Sequence, residues 1–185
     1  MNAKSLRKYM VELKMGLSEK CQEVFNATLG YYWLTRFDQQ NTTKYHRDNA
    51  PDNSYLMLGY EPSAIESRLL FADYHRLVTE NNIPTDKYYE LYNPMFEQGE
   101  KRLRPYVTEL KGFNNEAYNL VVINNSNLNS DKTRGVLHKA EIRKKDLNRP
   151  RIVNSVMLYL KSLNDPEENE KEKEMRFIRT EEVNS

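Results

Sequence analysis

Short β-prone runs, each closed by turn-forming residues, constrain this chain most. Residues 31–37, 54–60, 68–74, 118–123, 135–142 and 151–160 are rich in β-branched, aromatic and other apolar side chains. Between them lie punctuating stretches: Asn49-Ala50-Pro51-Asp52-Asn53, Glu61-Pro62-Ser63, and an Asn/Ser-rich segment from 124 to 134. A single short strand cannot bury its apolar face, so such runs must pair into sheets, and the sheets must stack. Two regions break the rhythm. Leu6, Tyr9, Met10, Leu13, Leu17, Cys21, Val24 and Phe25 recur at three- and four-residue steps, which predicts a helix over 5–29 with Gly30 as its C-terminal stop. Over 84–110, Thr85 or Asp86 caps a short helix through Tyr92, Pro94 restarts a second over 95–103, and Pro105 ends it. The expectation is an α+β protein, mainly β. Its core is a β-sandwich or jelly roll, such as a double-stranded β-helix, with an N-terminal helix and a helical insertion.

The 185 residues suit one domain, expected over 1–164. From 165 to 185 a tail alternates Glu with Lys, as a solvated helix or a disordered tail does. A formal net charge of +1 gives no case for nucleic acid or an anionic membrane as the main partner. Arg143-Lys144-Lys145 reads as a solvated turn. The single cysteine, Cys21, excludes an internal disulfide and a cysteine-based zinc site, and its place in the helical pattern gives it a structural role. No apolar leader region follows the N-terminus, and no run approaches the roughly 20 residues needed to span a bilayer. The expected location is cytoplasmic.

The chemistry gathers around histidines. His46 and Asp48 stand two apart, and in an extended strand end such residues point to one face, so an imidazole and a carboxylate can share an ion. His138, on a distant β-prone run, is positioned to supply a third ligand. Two imidazoles and one carboxylate on one face of an octahedral ion leave three positions open, the facial triad used by non-haem Fe(II) oxygenases. Arg149 and Arg151 follow, the latter opening the last strand, where a buried guanidinium suits a dicarboxylate partner.

The order His46-x-Asp48, then His138, then an arginine at the start of the next strand resembles the Fe(II)/2-oxoglutarate-dependent dioxygenase superfamily. The likeness covers about residues 31–160. It implies a double-stranded β-helix and hydroxylation of a small-molecule or peptide substrate, with release of succinate and CO2. It also implies Fe(II) held by His46, Asp48 and His138, with 2-oxoglutarate as cosubstrate. Arg151 is the first choice for the cosubstrate carboxylate and Arg149 the alternate, because Arg149 precedes Pro150, where a turn is favoured. Ser155 shares a strand face with Arg151 and can add a hydroxyl. Tyr60 and Asn124, at strand ends, are candidate cosubstrate neighbours, with Asn125 and Arg68 as further candidates for the pocket wall.

His75, in Asp73-Tyr74-His75, offers a competing ligand pair, against which stands an ordinary structural histidine. No G-x-G-x-x-G, Walker A or G-x-S-x-G motif is present. Two other functions remain open: a cupin-like metal-binding protein or enzyme that ignores 2-oxoglutarate, and a non-catalytic binding module presenting the helical insertion. The sequence does not select a substrate or an oligomeric state.

Overall fold

The computed structural model describes residues 1–130, 132–165 and 169–184. It is α+β, with helix and strand in roughly equal shares rather than mainly β. Helix α1 (Ala3–Phe25) opens the chain and strand β1 (Ala27–Asp38) follows at once. Then come β2 (Ser54–Tyr60), β3 (Ser67–Ala72), α2 (Tyr74–Glu80), α3 (Tyr88–Tyr92) and α4 (Glu97–Leu103). Strands β4 (Val107–Glu109), β5 (Asn119–Asn124), β6 (Leu137–Ile142) and β7 (Ile152–Ser162) precede the last helix, α5 (Glu170–Arg179). Among the described residues the strands form two antiparallel sheets, ordered β1-β7-β2-β5 and β4-β3-β6.

Three sequence expectations need correction. The first helix ends at Phe25, because Asn26 adopts the left-handed conformation at φ 50° and donates its N–H to the Gln22 carbonyl. Gly30 is therefore not a helix stop. It lies in β1 opposite Tyr159, whose ring leaves only 3.0 Å for a β-carbon. The third strand ends at Ala72, and the Asp73 carboxylate accepts the Arg76 N–H at 2.9 Å, starting α2 at Tyr74. The helical insertion is thus longer than the sequence indicated, which is one reason helix matches strand. The charged tail supplies the other. It forms α5, seated on the body by buried Phe177, by Lys14 Nζ donating to Glu170 at 2.6 Å, and by the Tyr31 hydroxyl donating to Glu174 at 2.8 Å.

Alternation along the strands sorts the core into layers. Leu56, Leu58, Ile123, Val153 and Met157 of the four-stranded sheet meet Leu69 and Phe71 of the smaller sheet. Met57, Val156 and Leu158 point the other way, against Leu6, Met10 and Val11 of α1. Contact there is close: a β-carbon on Gly59 would lie 2.6 Å from the Met10 sulfur. Within β1 a register shift between Tyr31 and Trp33 changes which face the strand presents. Leu29 and Tyr31 pack toward α1, whereas Trp33 and Phe37 pack between the sheets. The insertion helices bury Tyr74, Leu77, Tyr88 and Leu103 with Leu70, Ala72 and Leu137 of the smaller sheet. Among the described residues, no helix is long and apolar enough to cross a membrane.

Candidate metal centre

Between the sheets lies a cavity of about 220 Å³, whose wall includes His46, Asp48, His138, Tyr60, Arg151 and Ser155. Backbone pairing brings the first three together. His46 and His138 exchange both N–H···O bonds, at 3.1 and 2.8 Å, as opposed residues of an antiparallel ladder. Thr43 extends the contact: its N–H donates to the Ala140 carbonyl at 2.9 Å, and its hydroxyl accepts the Ala140 N–H at 3.0 Å. The stretch from Thr42 to His46 therefore runs along the free edge of β6. Asp48 is fixed by Asn125, which is fully buried. The Asn125 amide accepts the Asp48 N–H at 2.8 Å and donates to the Asp48 carbonyl at 3.1 Å.

One donor atom from each of His46, Asp48 and His138 lies within 4.8 Å of the other two. The imidazole rings stand 4.3 Å apart. Asp48 presents one oxygen 3.5 Å from His46 Nε2 and the other 4.0 Å from His138 Nε2. Adjacent ligands of an octahedral ion at about 2.1 Å sit roughly 3 Å apart, so closing separations of up to 4.8 Å shortens them by at most about 2 Å. The His46 Nδ1–H donates to the Lys44 carbonyl at 2.7 Å, which directs Nε2 toward the cluster. Burial lowers this imidazole, but the contacts with Asp48 and Lys44 outweigh it and raise it above its ordinary value, so a metal competes with the Nε2 proton. Burial pushes His138 down to about 4, with the charge of His46 acting the same way, so this imidazole is neutral at physiological pH. Burial would raise Asp48. The bond to His46 and the charges of His138, His46 and Arg47 outweigh it and hold the carboxyl below its ordinary value. The donor set fits a divalent ion that accepts nitrogen and oxygen.

Arg151 is 2% exposed. Its Nε donates to the Ser67 hydroxyl at 3.0 Å and its Nη1 to the Gln39 carbonyl at 3.0 Å. Its Nη2 is buried without a hydrogen-bond partner among the described residues. The guanidinium lies over the Tyr60 ring at 5.0 Å; burial pushes the Tyr60 phenol up to about 12, against the charge of Arg151 and a polar contact between the two side chains. Arg151 therefore lines the cavity with two of its three nitrogens already engaged. Ser155 also lines the cavity and accepts the Trp33 indole N–H at 3.0 Å.

The other named candidates lie elsewhere. Arg149 is exposed, with its guanidinium 3.7 Å from Asp146, and does not line the cavity. Asn124 accepts the Ser126 N–H at 3.0 Å through its side chain, a turn contact outside the cavity. Arg68 pairs with Glu141 and Glu109 on the outer face of the smaller sheet. His75 sits in the first turn of α2 and is not among the clustered ligand groups. Asn125, a candidate for the pocket wall, does not line the cavity and instead holds the Asp48 backbone, while the contacts from Ser67 and the Gln39 carbonyl had no distinguishing mark in the sequence.

Comparison of the chain with protein-family models, with curated proteins and with solved structures gives no match.

Proposed function

We propose that this chain is an Fe(II)- and 2-oxoglutarate-dependent oxygenase built on a jelly roll. The observation that carries the reading is one cavity lined both by the His46/Asp48/His138 cluster and by a buried arginine with an unmet N–H donor. Chain order supports the jelly roll. With the edge segment 42–46 taken as a further strand beside β6, each sheet has four strands, and the path crosses between sheets at nearly every step.

Iron and 2-oxoglutarate, when bound, would couple dioxygen to the substrate: dioxygen is the oxidant, one of its oxygen atoms ending in succinate as the 2-oxo acid loses CO2 and the other in the hydroxylated substrate. The protein binds, orients and keeps water out. His46, Asp48 and His138 hold the metal on one side and leave the other side open. Arg151, which lines the cavity, would pair with the distal carboxylate of the cosubstrate, a charge-assisted contact strengthened by burial. The Ser155 hydroxyl lines the same wall, and the Tyr60 ring fixes the plane of the guanidinium. Leu56, Leu58, Val153 and Ile123 make the rest of the wall apolar, which excludes bulk water. A cavity of about 220 Å³ is smaller than ordinary drug-sized pockets, consistent with a compact dicarboxylate.

A second reading is a metal-dependent enzyme that does not use 2-oxoglutarate. It is favoured by the two structural bonds already made by Arg151. Anaerobic addition of Fe(II) and 2-oxoglutarate separates the two. The oxygenase gives a weak visible charge-transfer band that needs both components and disappears in His46→Ala. Tight Fe(II) binding with no band at saturating 2-oxoglutarate supports the second reading instead, and no Fe(II) binding removes both.

A further inference from the structure

Helix α4 grips both histidine-bearing segments from outside the cavity. Glu100 accepts from Lys139 Nζ at 2.6 Å through one oxygen and from Lys44 Nζ at 3.0 Å through the other. Lys139 directly follows His138, and its side chain is largely buried, with Nζ 5.1 Å above the Tyr45 ring. Lys44 stands two before His46 and supplies the carbonyl that holds His46 Nδ1. Leu103 shares the Glu100 face of the helix, three residues on. It is fully buried in the cluster that contains Tyr45 and Leu137, the residues immediately preceding the two histidines. Each ligand is therefore flanked by residues that α4 holds: Lys44 and Tyr45 before His46, Leu137 and Lys139 around His138. The helix itself is pressed against the preceding turn, since a β-carbon on Gly99 would lie 2.1 Å from the Asn93 carbonyl oxygen.

We propose that Glu100 is a positioning residue, a carboxylate of the helical insertion that locks the His46 and His138 segments at one spacing and so sets metal affinity without touching the metal. This inference rests on the metal-centre reading. It also gives the insertion a role beyond packing. Tyr89, Asn93 and Met95 line an open groove that reaches His46.

Co(II) titration followed by visible absorption tests the clamp without any turnover. Loss of a partner one layer outside the ligands costs about tenfold or more in metal affinity. Glu100→Gln is expected to weaken Co(II) binding about tenfold, and Lys139→Gln by a similar factor. The double variant is expected to be no weaker than Glu100→Gln alone, because that change already removes the Lys139 bridge. The metal-free unfolding midpoint stays close to that of the unaltered protein. Undiminished Co(II) affinity in Glu100→Gln, or losses that add in the double variant, overturns the clamp while leaving the metal centre intact. Should Glu100→Gln fail to fold, Lys139→Gln decides by the same affinity criterion. No Co(II) binding by the unaltered protein overturns both the metal-centre reading and the clamp.

Discussion

Two arginines are buried on opposite faces of the four-stranded sheet, and they are buried differently. Arg7, on α1, is fully enclosed and well satisfied. Its guanidinium donates to the Ile178 and Thr180 carbonyls and to the Asn154 amide oxygen, with Glu61 and Glu181 each 3.7 Å away. Arg151, at the mouth of β7, is as deeply buried yet keeps one nitrogen without a partner. Burying a guanidinium costs several kcal/mol in desolvation, and a folded chain tolerates that only where partners compensate. The compensation of Arg7 is internal: it ties α1 to the C-terminal segment. That of Arg151 is incomplete in the protein alone, and the residue lines the cavity that holds the histidine pair. On the proposed reading, an anionic ligand completes it.

The largest expected effect falls on the satisfied arginine. Arg7→Met leaves the Ile178 and Thr180 carbonyls and the Asn154 amide oxygen without this donor, while Glu61 keeps Arg36, and each buried acceptor left unmet costs about 1–3 kcal/mol. Urea unfolding of the metal-free protein should show that drop in stability. A loss below about 1 kcal/mol would break the comparison, by showing that Arg7 is compensated no better than Arg151. Arg151→Met comes next and acts on a different quantity. A hydrogen bond to a charged group is worth about 1.5–3 kcal/mol, so 2-oxoglutarate affinity should fall about 10- to 100-fold. Fe(II) binding should persist, and stability should change by about 1–2 kcal/mol, reflecting the bonds to Ser67 and Gln39. A large stability loss with unchanged cosubstrate affinity would make Arg151 a second structural arginine.

The same contrast explains what could be read from the sequence. The candidate ligand pair His46 and Asp48 was legible because spacing alone puts both on one face, and β2 because a short apolar run closed by turn residues reads as a buried strand. His138 and Arg151 were legible as a following pattern, although only the antiparallel pairing of residues 46 and 138 shows that they share a cavity. The bulge in β1 was not legible. Tyr31, Tyr32 and Trp33 read as a plain aromatic run, and nothing local says that Trp33 turns inward. Helix α2 was missed because Asp73-Tyr74-His75 continues an apolar run, and the cap that starts the helix is a single carboxylate contact. Helix α5 was obscured by its charge: its few apolar residues, Met175, Phe177 and Ile178, give a narrow stripe, and what seats it is pairing with Lys14 and Tyr31 far away in sequence. Asn125 and Glu100 are the general case. Their work lies in contacts across the fold, which residue type does not announce.

The smallest expected effect belongs to Arg149, and it sharpens the comparison because the sequence made that residue the alternate to Arg151. Its side chain is exposed, its nearest acid partner is Asp146 at 3.7 Å, and it does not line the cavity. Solvent screens such a pair, and surface substitutions of this kind stay within about 0.5 kcal/mol. Arg149→Ala should therefore leave the unfolding midpoint, Fe(II) binding and 2-oxoglutarate affinity close to those of the unaltered protein, each read in the titrations used for Arg151→Met. If cosubstrate affinity instead fell as far as in Arg151→Met, the exposed loop before β7 would have to close over the cavity when the acid binds. The unmet nitrogen of Arg151 would then be a cost of the fold rather than a place kept for a ligand.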